Sequence, residues 1–199
     1  MMTDVLATVL RQLNEYLAQL DGMAGAANQA LVGNVSQLDK QEVATELDNH
    51  VVLTLVNIEE ERTLKNGKTF LNTSAEEGVY RNRPVNLNLF LLFTANYRNY
   101  ETALKRLAQV LSFFQGKQRF TAANSPAAGL APPITDFTLA MDLMSLTFEQ
   151  VNHLWGFLGA KQSPSVLYRG RLVTLDDQRV LEGGGRIRDI EILGRGTAA

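Results

Sequence analysis

The chain has 199 residues, 45% of them hydrophobic and 20% charged, with a formal net charge of −2 and no cysteine. That length and apolar content suffice for one sizeable core with some length left for arms or a tail. The slight acidity and the lack of any dense Lys/Arg stretch argue against a phosphate-tracking nucleic-acid binder; without cysteine there is no disulfide framework, thiolate metal site or cysteine nucleophile.

The start, Met1-Met2-Thr3-Asp4, carries no positive n-region, and the most apolar stretch, residues 89–93, is far shorter than the ~20 residues of a membrane span. A soluble product made in the cytoplasm is expected. Thr3 or Asp4 is placed to cap a first amphipathic helix, in which Leu6, Leu10, Leu13, Leu17 and Leu20 recur at helical spacing up to Asp21-Gly22. This helix is expected to lie on the surface. Residues 23–49 hold small residues and isolated apolar pairs such as Leu31-Val32, which support no more than a short strand near 30–35. Val51 to Ile58 is almost uninterrupted in β-branched and aliphatic side chains and predicts a strand. Its charged continuation, Glu59-Glu60-Glu61-Arg62, runs to Asn66-Gly67 and returns through Lys68-Thr69-Phe70-Leu71, the pattern of a hairpin with a two-residue turn. It reads either as an arm protruding beyond the core or as a solvated loop, since runs of glutamate are usually wet.

Residues 84–116 organise the chain. After Pro84, Val85, Leu87, Leu89, Leu91 and Phe93 share one wholly apolar strand face. On the other face Asn86 and Asn88 precede Phe90 and Leu92, so the strand starts half exposed and ends covered on both sides. From Asn99 the period turns helical: Tyr100, Ala103, Leu104, Leu107, Val110, Leu111 and Phe114 fall within an arc of about 120°. Burying those side chains is worth on the order of 10 kcal/mol before the cost of ordering them, and Leu107→Ala is expected to cost about 2–5 kcal/mol. Gly116 stands where a left-handed cap is expected.

Gln118 to Thr121 reads as a short strand, and the Ala/Pro/Gly-rich residues 122–133 as an irregular connection. Phe137, Leu139, Met141 and Leu143 alternate with Asp136, Thr138, Ala140 and Asp142, which predicts a half-buried strand. Thr147-Phe148-Glu149-Gln150 is a capping box with Leu146 and Val151 placed as a hydrophobic staple. The helix it opens is expected to bury Phe148, Val151, Leu154, Trp155 and Leu158. Pro164 starts an extended run through Leu175, followed by a turn at Asp176-Asp177, a break at Gly183-Gly184-Gly185, a β-like piece from Arg186 to Leu193 and a fraying end. Strands separated by helices predict an α/β (α+β) fold: a single mixed sheet with helices packed on it, in a domain spanning 1–175, followed by an extended C-terminal segment, 176–199.

No constellation for chemistry emerges. His50 and His153 have no cysteine or E-x-x-H partner, and His153 falls on the polar side of its helix. Asp136 and Asp142 share a solvent-side strand face, which desolvates neither for acid/base work. The triple glycine lacks a following Lys-Ser/Thr pair and fits no G-x-G-x-x-G, and there is no G-x-S-x-G elbow. No catalytic, cofactor-binding or metal-ligating residue is nominated. Tyr80-Arg81-Asn82-Arg83 and Asn96-Tyr97-Arg98-Asn99-Tyr100 read as ordinary turns or as partner contacts, Arg and Tyr being favoured at interfaces.

The succession Arg83-Pro84-Val85-Asn86-Leu87-Asn88-Leu89-Phe90-Leu91-Leu92-Phe93-Thr94-Ala95-Asn96-Tyr97, then Tyr100 to Leu107 and Phe113-Phe114-Gln115, resembles the N-terminal domain of tube-terminator or cap proteins. These belong to phage-tail-like contractile injection systems of the virulence-cassette and antifeeding-prophage type. The resemblance continues through Ser145 to Gly156 and Gly159 to Tyr168, touches Ile58 to Arg62 and the first helix, and covers most of residues 3–175. It implies a fold like that of phage tail terminators and a structural role without catalysis or cofactor. The implied assembly is a homohexameric ring that ends the inner tube and fastens the last sheath layer, its partners being further copies, the inner-tube protein and the sheath protein. Assembly in the bacterial cytoplasm is implied, within a particle whose release from the cell is left open. Another tail-completion or baseplate-side ring protein, or a monomeric adaptor domain, are the alternatives.

Beside that resemblance, extended segments charged on one face are the candidates for contact. They are Glu59, Glu60, Glu61 and Arg62 in the arm; Arg81, Arg83, Asn96, Tyr97 and Arg98 flanking the central strand; and Tyr168, Arg169 and Arg171 in the later run. The 51–73 hairpin is expected to serve ring or tube contact, and Val166 to Leu175 or Arg186 to Leu193 to offer the sheath an edge strand.

Overall fold

The computed structural model describes residues 2–22, 29–38, 40–61, 70–72, 77–81, 85–125, 137–175 and 180–185. Helix α1 spans Met2–Leu20, so Thr3 and Asp4 lie inside its first turn rather than before it. It lies at the surface, as expected, with Arg11 and Glu15 paired on its outer side, and its apolar stripe is sunk in the core. Val5 and Val9 widen the leucine stripe, and they are buried together with Leu6, Leu10, Leu13 and Leu17, which leaves only Leu20 well exposed. Asn14 ties α1 to the first strand, β1 (Ala30–Val32): its Oδ1 accepts from the Gln29 and Ala30 N–H groups at 2.8 and 2.7 Å, and its Nδ2 donates to the Ala30 carbonyl at 2.8 Å. A 3-10 turn at Val35–Gln37 and a short helix α2, Gln41–Leu47, then occupy a region where the sequence shows no clear pattern.

Strand β2 (His50–Glu60) pairs antiparallel with β5 (Val85–Asn96) along its full length, from His50 opposite Asn96 to Glu60 opposite Leu87. The charged end of β2 is therefore zipped to the start of β5 instead of leading straight into a hairpin. Of the expected hairpin, Asn66-Gly67 lies outside the described residues, and Phe70 and Leu71 belong to a short strand, β3 (Phe70–Asn72), whose partner is β4 (Glu77–Arg81). Helix α3 (Tyr100–Gly116) follows β5, capped by Asn99, whose side chain accepts from the Thr102 N–H at 3.0 Å. Its C-cap is Lys117 in extended conformation, so Gly116 ends the helix without the left-handed turn expected of it. The remaining elements are β6 (Arg119–Thr121), β7 (Thr138–Met144), α4 (Phe148–Leu158), β8 (Ser165–Leu175) and β9 (Val180–Gly185). The triple glycine forms the end of β9 and is not a break.

The chain falls into two units, Met1–Glu61 with Asn86–Thr174, and Arg62–Val85 with Leu175–Ala199. The first holds a mixed sheet in the order β1-β2-β5-β8-β7-β6, with β1 parallel to β2 and the β2–β5, β7–β8 and β6–β7 pairs antiparallel. Both faces are covered. On one, Val51, Leu53, Leu89, Leu91, Phe93, Leu139 and Met141 meet the buried stripes of α1 and α3. Phe114 is the hub there, its ring 5.1 Å from Phe93, 5.0 Å from Phe113 and 4.7 Å from Tyr168 between centroids. On the other, Val52, Leu92 and Leu167 pack against Leu47 of α2 and Trp155 of α4. The α3 arc is only partly sunk: Ala103, Val110, Phe113 and Phe114 are buried, Leu107 is half-buried, and Tyr100 and Leu104 are 66% and 46% exposed. The second unit contains a three-stranded antiparallel sheet, β3-β4-β9.

Candidate assembly surfaces

Helix α4 dominates the candidate surface. The Thr147 side chain accepts from the Gln150 N–H at 3.3 Å while the Gln150 side chain accepts from the Thr147 N–H at 3.0 Å, closing the capping box the sequence predicts. Leu146 and Val151, the residues placed as a staple, both pack against the second core cluster, and Gly159 ends the helix at φ 63°. Trp155 is the anchor at 6% exposure. Phe148, expected in the core, stands 97% exposed, and Phe157 is 79% exposed. The sequence marks neither as a surface residue, and the signal for it is faint. Phe148 is the first helical residue, where the side chain leans toward the helix N-terminus and off the sheet, and Phe157 lies about half a turn round from it.

Each phenylalanine stands at one flank of α4. On the Phe157 flank a groove of about 580 Å³ runs between helix and sheet, lined by Val56, Asn57, Phe90, Met144, Leu146, Gln150, His153, Leu154, Phe157 and Leu167. A β-bulge builds its floor. The β2–β5 register shifts between Leu55 and Asn57, so Val56 is the extra residue and both it and Asn57 reach the groove. On the Phe148 flank, Phe148, Val151, Trp155, Gly156 and Gly159 line a smaller recess of about 450 Å³.

The contact residues read from sequence scatter. Glu59 and Glu60 are exposed at the end of β2. Glu61 is half-buried and accepts from the Asn88 amide at 3.0 Å. Asn96 is spent on the Leu47 carbonyl at 2.8 Å, fastening α2. Tyr97 packs against the first core cluster, where burial raises its pKa. Arg98 is exposed and pairs with Asp48 at 2.7 Å. Arg171 is exposed and makes a two-point contact with Asp142 of the neighbouring strand, while Arg169 is half-buried. Tyr168 is a core residue at 3% exposure, edge-on to Phe93, and therefore not the surface contact expected of it; burial raises its pKa as well. Arg81 lies in β4, and Arg62 and Arg83 lie outside the described residues. The run from Val166 to Leu175 offers no edge, because β8 sits between β5 and β7. Arg186 to Leu193 lies outside the described residues. Among the described residues no group of His, Cys, Asp and Glu is placed to hold a metal, and no helix is long and apolar enough to cross a membrane.

The sequence matches the family model described as the Pvc16 N-terminal domain over residues 4–189. The chain belongs to that family. No curated protein matches it in sequence. The Pvc16 N-terminal fold recurs in solved structures at low identity. One is the PVC sheath/tube terminator in the extended state, from an extracellular contractile injection system, with TM-score 0.61 and 14% identity over 100% of this chain and 65% of that one. Another is the tube-terminating cap of the anti-feeding prophage, with TM-score 0.50 and 17% identity over 72% of this chain and 48% of that one. This chain thus spans less than two thirds of either. The mixed α+β architecture predicted from the sequence is the one observed, with helices on both faces of its main sheet.

Proposed function

We propose that this chain is a terminator of a contractile injection system: six copies close into a ring that caps the inner tube and holds the last layer of sheath. The observation that carries the reading is the fold match over the whole chain to a sheath/tube terminator, within a family to which the chain belongs. A second match, to a tube-terminating cap, points the same way. The work is done by shape. A closed ring of identical subunits needs heterologous contacts, each burying more than about 1,000 Å² in total. Exposed charges at Glu59, Glu60, Arg98 and Arg171 belong to separate contacts, with tube or sheath, where they steer docking more than they add affinity. The ring is added in the bacterial cytoplasm, while tube and sheath are being built.

Electron microscopy of particles assembled with and without the chain tests this. Deletion is expected to give tubes of ragged or excessive length with sheath loosened at the distal end, and a tag on the chain to mark that end. Unchanged lengths, or a tag at the baseplate, would exclude the cap role.

A further inference from the structure

We infer that the two flanks of α4 are the two halves of one head-to-tail contact between copies of this chain, Phe148 of one copy entering the groove beside Phe157 of the next. This rests on the ring reading above and assigns its subunit junction. Three observations carry it. First, the nine-residue step from Phe148 to Phe157 amounts to two and a half turns at about 100° per residue, which puts them on opposite sides of the helix. A projection on one side and a socket on the other cannot meet by a two-fold axis through the same patch, and they generate a ring or a filament.

Second, the groove has the composition of an interface centre. Among the described residues that line it none is Asp, Glu, Lys or Arg, and Phe90, Met144 and Phe157 supply the aromatic and methionine surface that such centres favour. Its 580 Å³ falls within the ~300–1,000 Å³ range of built sites, ample for a phenyl ring. Third, the areas are of the right order. One junction takes Phe148 from one copy and Phe157 from the other, at 97% and 79% exposure, on the order of 400 Å² of aromatic surface and about a quarter of the ~1,600 Å² total of a standard interface. The balance falls to the apolar groove walls and a polar rim.

Phe148→Asp and Phe157→Asp separate the halves, and both positions are exposed enough that thermal melts should match the wild type. In light-scattering chromatography over rising concentration, the wild-type chain is expected at ring mass and each variant at monomer mass. An equimolar mixture of the two should give a heterodimer and nothing larger, because only the Phe148 of one variant and the groove of the other remain to form a junction. Rings from either variant alone, a homodimer of either, or a mixture that stays monomeric would each overturn the α4 junction while leaving the ring reading intact. A wild-type chain that stays monomeric throughout would overturn both.

Discussion

Asp21, at the end of α1, gathers partners that no local pattern could announce. Its Oδ2 accepts from Arg106 of α3 at 2.6 Å and from Gln29 at 2.9 Å, at positions 85 and 8 residues away. The hydrogen bond from Arg106 outweighs burial and holds the Asp21 carboxyl below its usual range. A carboxyl depressed in the folded state stabilises the fold above the ordinary carboxylate pKa and ceases to do so as pH falls through the depressed value. Asp21→Asn is therefore expected to cost about 1–3 kcal/mol at pH 7, with the gap from wild type closing once the pH drops below about 4. Urea melts at pH 7 and pH 3 check this, and an equal gap at both would rule the ion pair out as the cause. From the sequence, Asp21 is legible only as a helix stop. Tyr168 misleads for a related reason: flanked by Arg169, it reads as a contact residue, yet strand alternation turns it inward against Phe93 and Phe114.

At the scale of elements, periodicity finds what is long and strongly patterned: β5, α3, β7, the capping box of α4, and β2 as a strand. It misses α2, seven residues whose N-cap Lys40 makes no side-chain bond and whose hold on the fold comes from Leu47 and Asn96. It also spreads the core over α3 too evenly. The arc is real, but only its inner edge is covered, so the energy concentrates at Phe114, which is 1% exposed. Phe114→Ala is expected to cost about 3–5 kcal/mol, whereas Leu107→Ala should fall below about 2 kcal/mol and Leu104→Ala stay within about 0.5 kcal/mol. Denaturant midpoints at unchanged slope measure all three, and equal losses at Phe114 and Leu104 would contradict the burial pattern.

Across the whole molecule, strand order is the least legible property. The hairpin signal at Asn66-Gly67 points to β2 pairing with the next segment of chain, yet β2 pairs with β5, and β3 and β4 pair in a separate sheet with β9. Sequence adjacency is only a prior, and the choice of partner depends on surfaces that no single segment displays. What the sequence does disclose is kinship: the resemblance carried by Arg83 to Tyr97 and Ser145 to Tyr168 leads to the family whose model matches residues 4–189. Ending the chain after Leu175 tests the second sheet: without β9, the β3–β4 pair is a lone hairpin and should not hold. Hydrogen exchange at Glu77–Arg81 is expected to become fast while Leu89 to Phe93 stay protected, and unchanged protection at 77–81 would deny β9 its part.

That sheet draws its strands from chain segments far apart, with Arg81 ending β4 and Val180 opening β9. During translation the earlier strands leave the ribosome about 100 residues before the later one, which is roughly 5–20 s at ordinary elongation rates. For that interval β4 waits with one side of its backbone unclaimed, where another nascent chain could join it. Slow synthesis or crowded polysomes should thus endanger this part of the polypeptide first.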